Sequence, residues 1–194
     1  MCARRGGLDA EGSRFSVRNL FRPNSVPSSD WKGADNMPTK WPGPTYVVRA
    51  TFRAPLAFVY RWCTDYTPHD ARVERDEYER KIIRRTPREV VYEDLWESKD
   101  GWFWSRHEVR LRPPNRWHSD TVGSHRAMSL DYALSKLPGN RTRLTLTARR
   151  RPYGIGGKNP ARSQWEAPIT KSWRNFGRAL EKDYRKENAK RSKK

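Results

Sequence analysis

"ITKSWRNFGRALEKDYRKENAKRSKK" (169–194) closes the chain, and its two faces decide the fold. At about 100° per residue, Ile169, Trp173, Phe176, Leu180 and Tyr184 gather on one narrow side of a helix, and Trp165 extends the stripe. Lys171, Arg174, Arg178, Lys182 and Arg185 take the far side. Burying an apolar side chain of this kind is worth about 1.5–3 kcal/mol, whereas a solvated Lys or Arg loses little by staying in water. The apolar stripe must therefore dock, and the helix is structural first and cationic second. Ser163 and Glu166 have the spacing of a capping box. That start would put Pro168 inside the helix, so the first turn is expected near Pro168 instead. Residues 189–194 read as a solvated basic tail.

The surface that receives the stripe is found upstream. "TYVVRATFRAP" (45–55) alternates, with Val48, Ala50 and Phe52 on one face of a strand. Pro55 suits the first turn of a short apolar helix, "PLAFVYRWCTDY" (55–66). A polar second helix or irregular link follows around Pro68 and Asp70. Six strands come next, joined by short turns. "RKIIRR" (80–85) and "REVVYEDLWE" (88–97) flank Thr86-Pro87, and Asp100-Gly101 is read as the two-residue turn into "WFWSRHEVRLR" (102–112). "PPN" (113–115) leads to "RWHSDTVGS" (116–124), and "PGN" (138–140) joins "AMSLDYALSKL" (127–137) to "RTRLTLTARR" (141–150). The expected class is α+β: about seven antiparallel strands in the order β-α-α-β6-α, curved around the last helix.

Composition sets the outer limits. The chain has 194 residues, a net charge of +19 and nine Trp. That many large aromatic groups argue against a wholly disordered chain. Residues 151–194 hold thirteen Lys and Arg against four acids, so the cationic excess is concentrated at the C-terminal end. Such a field attracts nucleic acid, ribosomes, acidic proteins or anionic membranes without choosing among them. No run of about 18 apolar residues is present. Residues 1–43, rich in Ser, Gly, Pro and Arg, read as a disordered basic N-terminal tail, with Met37 a possible alternative start. Cys2 and Cys63 lie in unlike segments, which fits unpaired thiols and a reducing cytoplasm. His69, His107, His118 and His125 lack metal-ligand spacing, and "GIGGK" (154–158) lacks that of a phosphate cradle, so neither metal nor cofactor is expected.

The order strand, two short helices, six strands, long helix resembles the START-like superfamily (SRPBCC), the helix-grip fold of polyketide cyclases and birch-pollen-allergen (Bet v 1-like) relatives. "TFRAPLAFVYRWCTDY" (51–66), "LSKLPGNRTRLTLTARR" (134–150) and "WRNFGRALEKDYRKE" (173–187) carry the resemblance, which covers about residues 44–188. It implies a sheet curled around the last helix and a mostly apolar cavity for a lipid, isoprenoid or polyketide-like ligand. Fold alone does not fix activity.

Hairpin parity nominates the wall of that cavity. With Asp100-Gly101 as the turn, Asp94 opposes His107, Trp96 opposes Ser105 and Tyr92 opposes Val109. Tyr92, Asp94, Trp96, Phe103, Ser105 and His107 then share the inner face, joined by Tyr132 from the "PGN" hairpin and by Trp173, Phe176, Leu180 and Tyr184 from the helix. Trp102, Trp104, Arg106 and Arg110 face out. Asp94 and His107 either form an acid/base pair or satisfy one another in a partly wet wall; mutual pairing accounts for them without catalysis. The leading expectation is a non-enzymatic, soluble protein that binds a hydrophobic small molecule. The alternatives are a cyclase- or aromatase-type enzyme using Asp94 and His107, and a basic module associated with RNA or the ribosome.

Overall fold

The computed structural model describes residues 44–68, 70–74, 78–98, 101–124, 126–152 and 159–192. The expected N-terminal tail, the "GIGGK" loop, His69 and His125 lie outside them. The elements run β1 (Thr45–Phe52), α1 (Leu56–Cys63), α2 (Asp70–Glu74), β2 (Tyr78–Arg85), β3 (Glu89–Ser98), β4 (Gly101–Arg112), β5 (Arg116–Gly123), β6 (Arg126–Leu137), β7 (Arg141–Pro152) and α3 (Arg162–Arg191). All neighbouring strands are antiparallel, in the order β1-β7-β6-β5-β4-β3-β2, with β1 and β2 at the edges. This is the α+β helix-grip architecture: an open, curved sheet with a long C-terminal helix on its concave side.

The concave face is built by alternation. Tyr46, Val48 and Phe52 of β1 are buried with Leu144, Leu146 and Ala148 of β7 and with Leu130 and Leu134 of β6. The "PGN" hairpin pairs Leu130 with Ala148, Tyr132 with Leu146 and Leu134 with Leu144, as the sequence implies. Gly139 and Asn140 make its turn at positive φ (71° and 55°), a conformation those two residue types accept most readily. Leu180, fully buried, brings α3 into the same core as Phe52, Phe58 and Val90. Trp165 and Ile169 pack on the neighbouring cluster of Tyr46, Val48 and Leu146. Among the described residues, no helix is long and apolar enough to cross a membrane.

Three local expectations give way. First, α3 begins at Arg162, with Pro168 inside it. An interior proline costs a helix about 3 kcal/mol. Here the turn before it makes contacts that offset this: the Trp165 ring lies 4.9 Å from that of Tyr46, and Glu166 Oε1 accepts from Val47 N–H at 3.0 Å. Second, the helix runs on to Arg191, into the stretch read as tail, with Arg191 paired to Glu187 at 2.6 Å. Third, Ser98 pairs with Gly101, so Gly101 is the first strand residue of β4, at φ 116°. The register is thereby displaced by two residues: Asp94 faces Ser105, Tyr92 faces His107 and Trp96 faces Phe103. Cross-strand ring contacts favour this register, because Tyr92 stacks on His107 at 4.4 Å and Trp96 on Phe103 at 5.9 Å. A slip of two preserves the face of every side chain, so the inward set is unchanged.

Helix α3 also caps the β1 edge at two points. Glu166 takes the Val47 amide, and Glu181 Oε1 takes that of Arg53 at 2.8 Å. From Val47 to Arg53 a strand advances about 20 Å. From Glu166 to Glu181 a helix rises about 22 Å. The two elements therefore run side by side in the same direction, each glutamate capping one outward N–H.

Candidate functional site

Between α3 and the sheet lies a cavity of about 220 Å³. Its walls are aromatic: Trp62 and Tyr66 from α1 and the link after it, Tyr92, Trp117 and Tyr132 from the sheet, and Trp165, Trp173 and Phe176 from α3. Met128, Leu130, Leu146 and Ile169 fill the gaps. The rings support one another. Trp117 stacks on Tyr132 at 4.8 Å, Trp173 meets Tyr132 edge-on at 6.2 Å, and Trp62 meets Phe176 edge-on at 6.0 Å. Such contacts fix ring orientation as well as adding to burial.

The polar end is made by Asp65, Asp70 and Arg80. Arg80 lies opposite Asp94 in the β2–β3 ladder, and its side chain is 6% exposed. Its Nε donates to Asp94 Oδ1 at 2.7 Å and its Nη2 to Asp94 Oδ2 at 2.8 Å, a two-pronged carboxylate bond. Its Nη1 also bonds Asp70, whose other oxygen accepts from Thr67 Oγ1 at 3.0 Å. The guanidinium carbon sits 4.2 Å from the centroid of Tyr92. One cation thus ties α2, β2 and β3 together beneath the cavity. Burial nevertheless lifts the carboxyls of Asp70 and Asp94 above the ordinary range, against the pull of Arg80. Asp65 is pushed up to about 6 by burial and by the nearby Asp70. Burial also raises the Cys63 thiol, which keeps it protonated and unreactive at neutral pH.

His107 has other partners than Asp94. Its Nε2 bonds Ser105 Oγ at 2.8 Å and its Nδ1 bonds Thr121 Oγ1 at 3.0 Å, while Asp94 Oδ2 stays 3.8 Å away. Burial takes its pKa down to about 3, with Arg80 and Arg126 adding to the effect. The ring is therefore neutral and fully bonded, and the expected Asp94–His107 hydrogen bond is replaced by Asp94–Arg80. Among the described residues, no three His, Cys, Asp or Glu come together as a metal site.

Of the side chains nominated from sequence, Tyr92, Tyr132, Trp173 and Phe176 line the cavity. Asp94, Ser105 and His107 are not in its lining: His107 stacks on Tyr92, Ser105 bonds His107 and Asp94 bonds Arg80, while Trp96 and Phe103 stack on each other farther along the same face. Leu180 is core, and the Tyr184 hydroxyl accepts from Asn140 Nδ2 at 3.0 Å while its ring packs 5.0 Å from Phe58. Arg80, Asp65, Asp70, Trp62, Tyr66 and Trp117 were not nominated. For Arg80 a signal existed: a lone aspartate on an apolar wall needs a partner, and alternation in "YERKII" (78–83) sets Arg80 on one face with Tyr78 and Ile82.

No protein-family model and no protein of curated function matches the sequence. Solved structures do match the fold. The Zhui aromatase/cyclase from Streptomyces sp. R1128 has a TM-score of 0.56 at 13% identity, over 73% of this chain and 93% of that one. A START superfamily protein from Mycobacterium smegmatis has a TM-score of 0.54 at 12% identity, over 74% and 99%. The major latex-like protein 151 from Panax ginseng has a TM-score of 0.54 at 7% identity, over 73% and 97%. The chain has the START-like fold. At these identities the likeness is one of fold, and activity has to be argued from the site.

Proposed function

We propose that the protein holds one compact hydrophobic molecule between α3 and the sheet, and that it binds this molecule without transforming it. The observation that carries the reading is the cavity walled by mutually packed rings, with Arg80, Asp65 and Asp70 at one end. Drug-sized ligands occupy pockets of about 300–1,000 Å³. A volume of about 220 Å³ favours a ligand of one or two rings, or a short branched chain, over a long lipid. The polar end would take an oxygen or nitrogen substituent, and the rings would supply most of the contact area.

Binding is favoured over cyclase-type chemistry through Asp94 and His107 by how those two groups are engaged. A general acid or base must reach the proton that it moves. Both oxygens of Asp94 are committed to Arg80, and both ring nitrogens of His107 to hydroxyls.

Native mass spectrometry of protein purified from its own host, followed by organic extraction, tests this. A single non-covalent small-molecule adduct is expected, and it should vanish in Leu130→Trp, which fills the cavity from the sheet side. An unliganded wild-type spectrum, or an adduct that persists in Leu130→Trp, contradicts the reading.

A further inference from the structure

A second groove, of about 870 Å³, opens between α3 and the free edge of β1, with Trp173 common to its lining and to that of the aromatic cavity. In an antiparallel ladder, N–H and C=O groups point alternately toward the partner strand and away from it. Val47 and Arg53 donate outward, to Glu166 and Glu181. The same alternation sends the N–H and C=O of Arg49 and Thr51, both exposed, into the groove between those two caps.

The groove is cationic on both sides of this edge. Lys171, Arg174 and Arg178 recur at helical spacing and are exposed along its α3 wall. Arg49 stands on the convex side, with Arg143 opposite Thr51 in the ladder. Among the described residues, no ion pair engages Arg49, Lys171 or Arg174, and Arg178 bonds only to Asn175. Charged edges keep sheets from pairing with copies of themselves. The field that repels a second basic copy attracts an acidic strand.

We propose that the β1 edge between Glu166 and Glu181 receives a short acidic peptide segment of a partner protein, added as an extended strand. Its backbone bonds to Arg49 and Thr51, and its acidic side chains alternate toward the α3 cations and the convex arginines. A nucleic-acid strand fits less well. The outward carbonyls of Arg49 and Thr51 would face phosphate oxygens, and the two glutamates close both ends to a continuing polyanion.

The test is fluorescence polarisation at low salt with the full chain and a labelled peptide of Glu residues, about five long, which fits between the two caps and is acidic on both of its faces. Saturable binding is expected, with protection of the Arg49 and Thr51 amides in hydrogen exchange. The variant Arg174→Glu/Arg178→Glu should weaken binding about tenfold. N-methylating alternate peptide amides, which leaves the protein untouched, should weaken it at least as much, because it removes the ladder donors. Absence of binding by the acidic peptide overturns the proposal. Equal binding of the N-methylated peptide does so too, and so does tighter binding of a length-matched single-stranded oligonucleotide, which would mark the groove as a site for polyanions in general.

Discussion

Arg80 is the residue on which the polar end of the cavity depends. Removing one partner of a buried ion pair costs about 3–5 kcal/mol, because the charges left behind have no compensation. Arg80→Met leaves Asp70 and Asp94 in that position, and a loss of that size is expected in denaturant unfolding at neutral pH. The deficit should shrink as pH falls toward about 4, since protonating the two carboxyls removes the unpaired charge. A loss that stays constant with pH would separate Arg80 from its partners. The histidines give a second test. His107 is buried neutral, so it should not titrate between about pH 5 and 8 by NMR, and it should cost stability only as pH falls below the value of an unfolded histidine. His118 behaves oppositely. It bonds Asp120 at 2.9 Å and Asp131 at 2.7 Å, and these partners raise its pKa. Its contribution is fully present below about pH 6.5 and is lost as pH rises through the folded value. His118→Gln should therefore cost more at about pH 6 than at about pH 9 in thermal unfolding; equal costs would contradict the pairing.

At the scale of elements, the docking of α3 was legible because its apolar stripe is long and regular. Leu180→Ala should cost about 2–5 kcal/mol, since the site is fully enclosed and cannot collapse around the smaller side chain. A loss of less than about 0.5 kcal/mol, typical of a surface position, would place the stripe elsewhere. The succession of strands and their inward faces were legible for the same reason, since alternation survives a register slip of two, whereas the turn between β3 and β4 was misplaced by one residue. Other features were decided by partners remote in sequence. The start of α3 depends on Tyr46 and Val47, and the β3–β4 register on ring stacking across the hairpin. Of the eleven side chains nominated from sequence, four line the cavity. Parity identifies which side chains face inward, but not which of them reach a cavity and which sit behind others. His107 stacks on Tyr92 without lining the cavity, and the lining residues Trp62, Asp65 and Tyr66 belong to a helix end and link that strand parity does not address.

For the whole molecule, the two faces of α3 divide the surface into two regions. The apolar face closes a ring-lined cavity, and the cationic face borders an open strand edge. The central claim is that the first of these is where a small molecule resides. Trp62, Trp117, Trp165 and Trp173 line that cavity, whereas Trp102 and Trp104 stand 61% and 46% exposed on the convex face. Fluorine NMR of protein labelled with 5-fluorotryptophan, titrated with 2-naphthol as a two-ring probe, separates the two groups directly. Saturable shifts of the four cavity resonances, with those of Trp102 and Trp104 unmoved, are expected. Shifts confined to Trp102 and Trp104, with the cavity resonances still, would contradict the account.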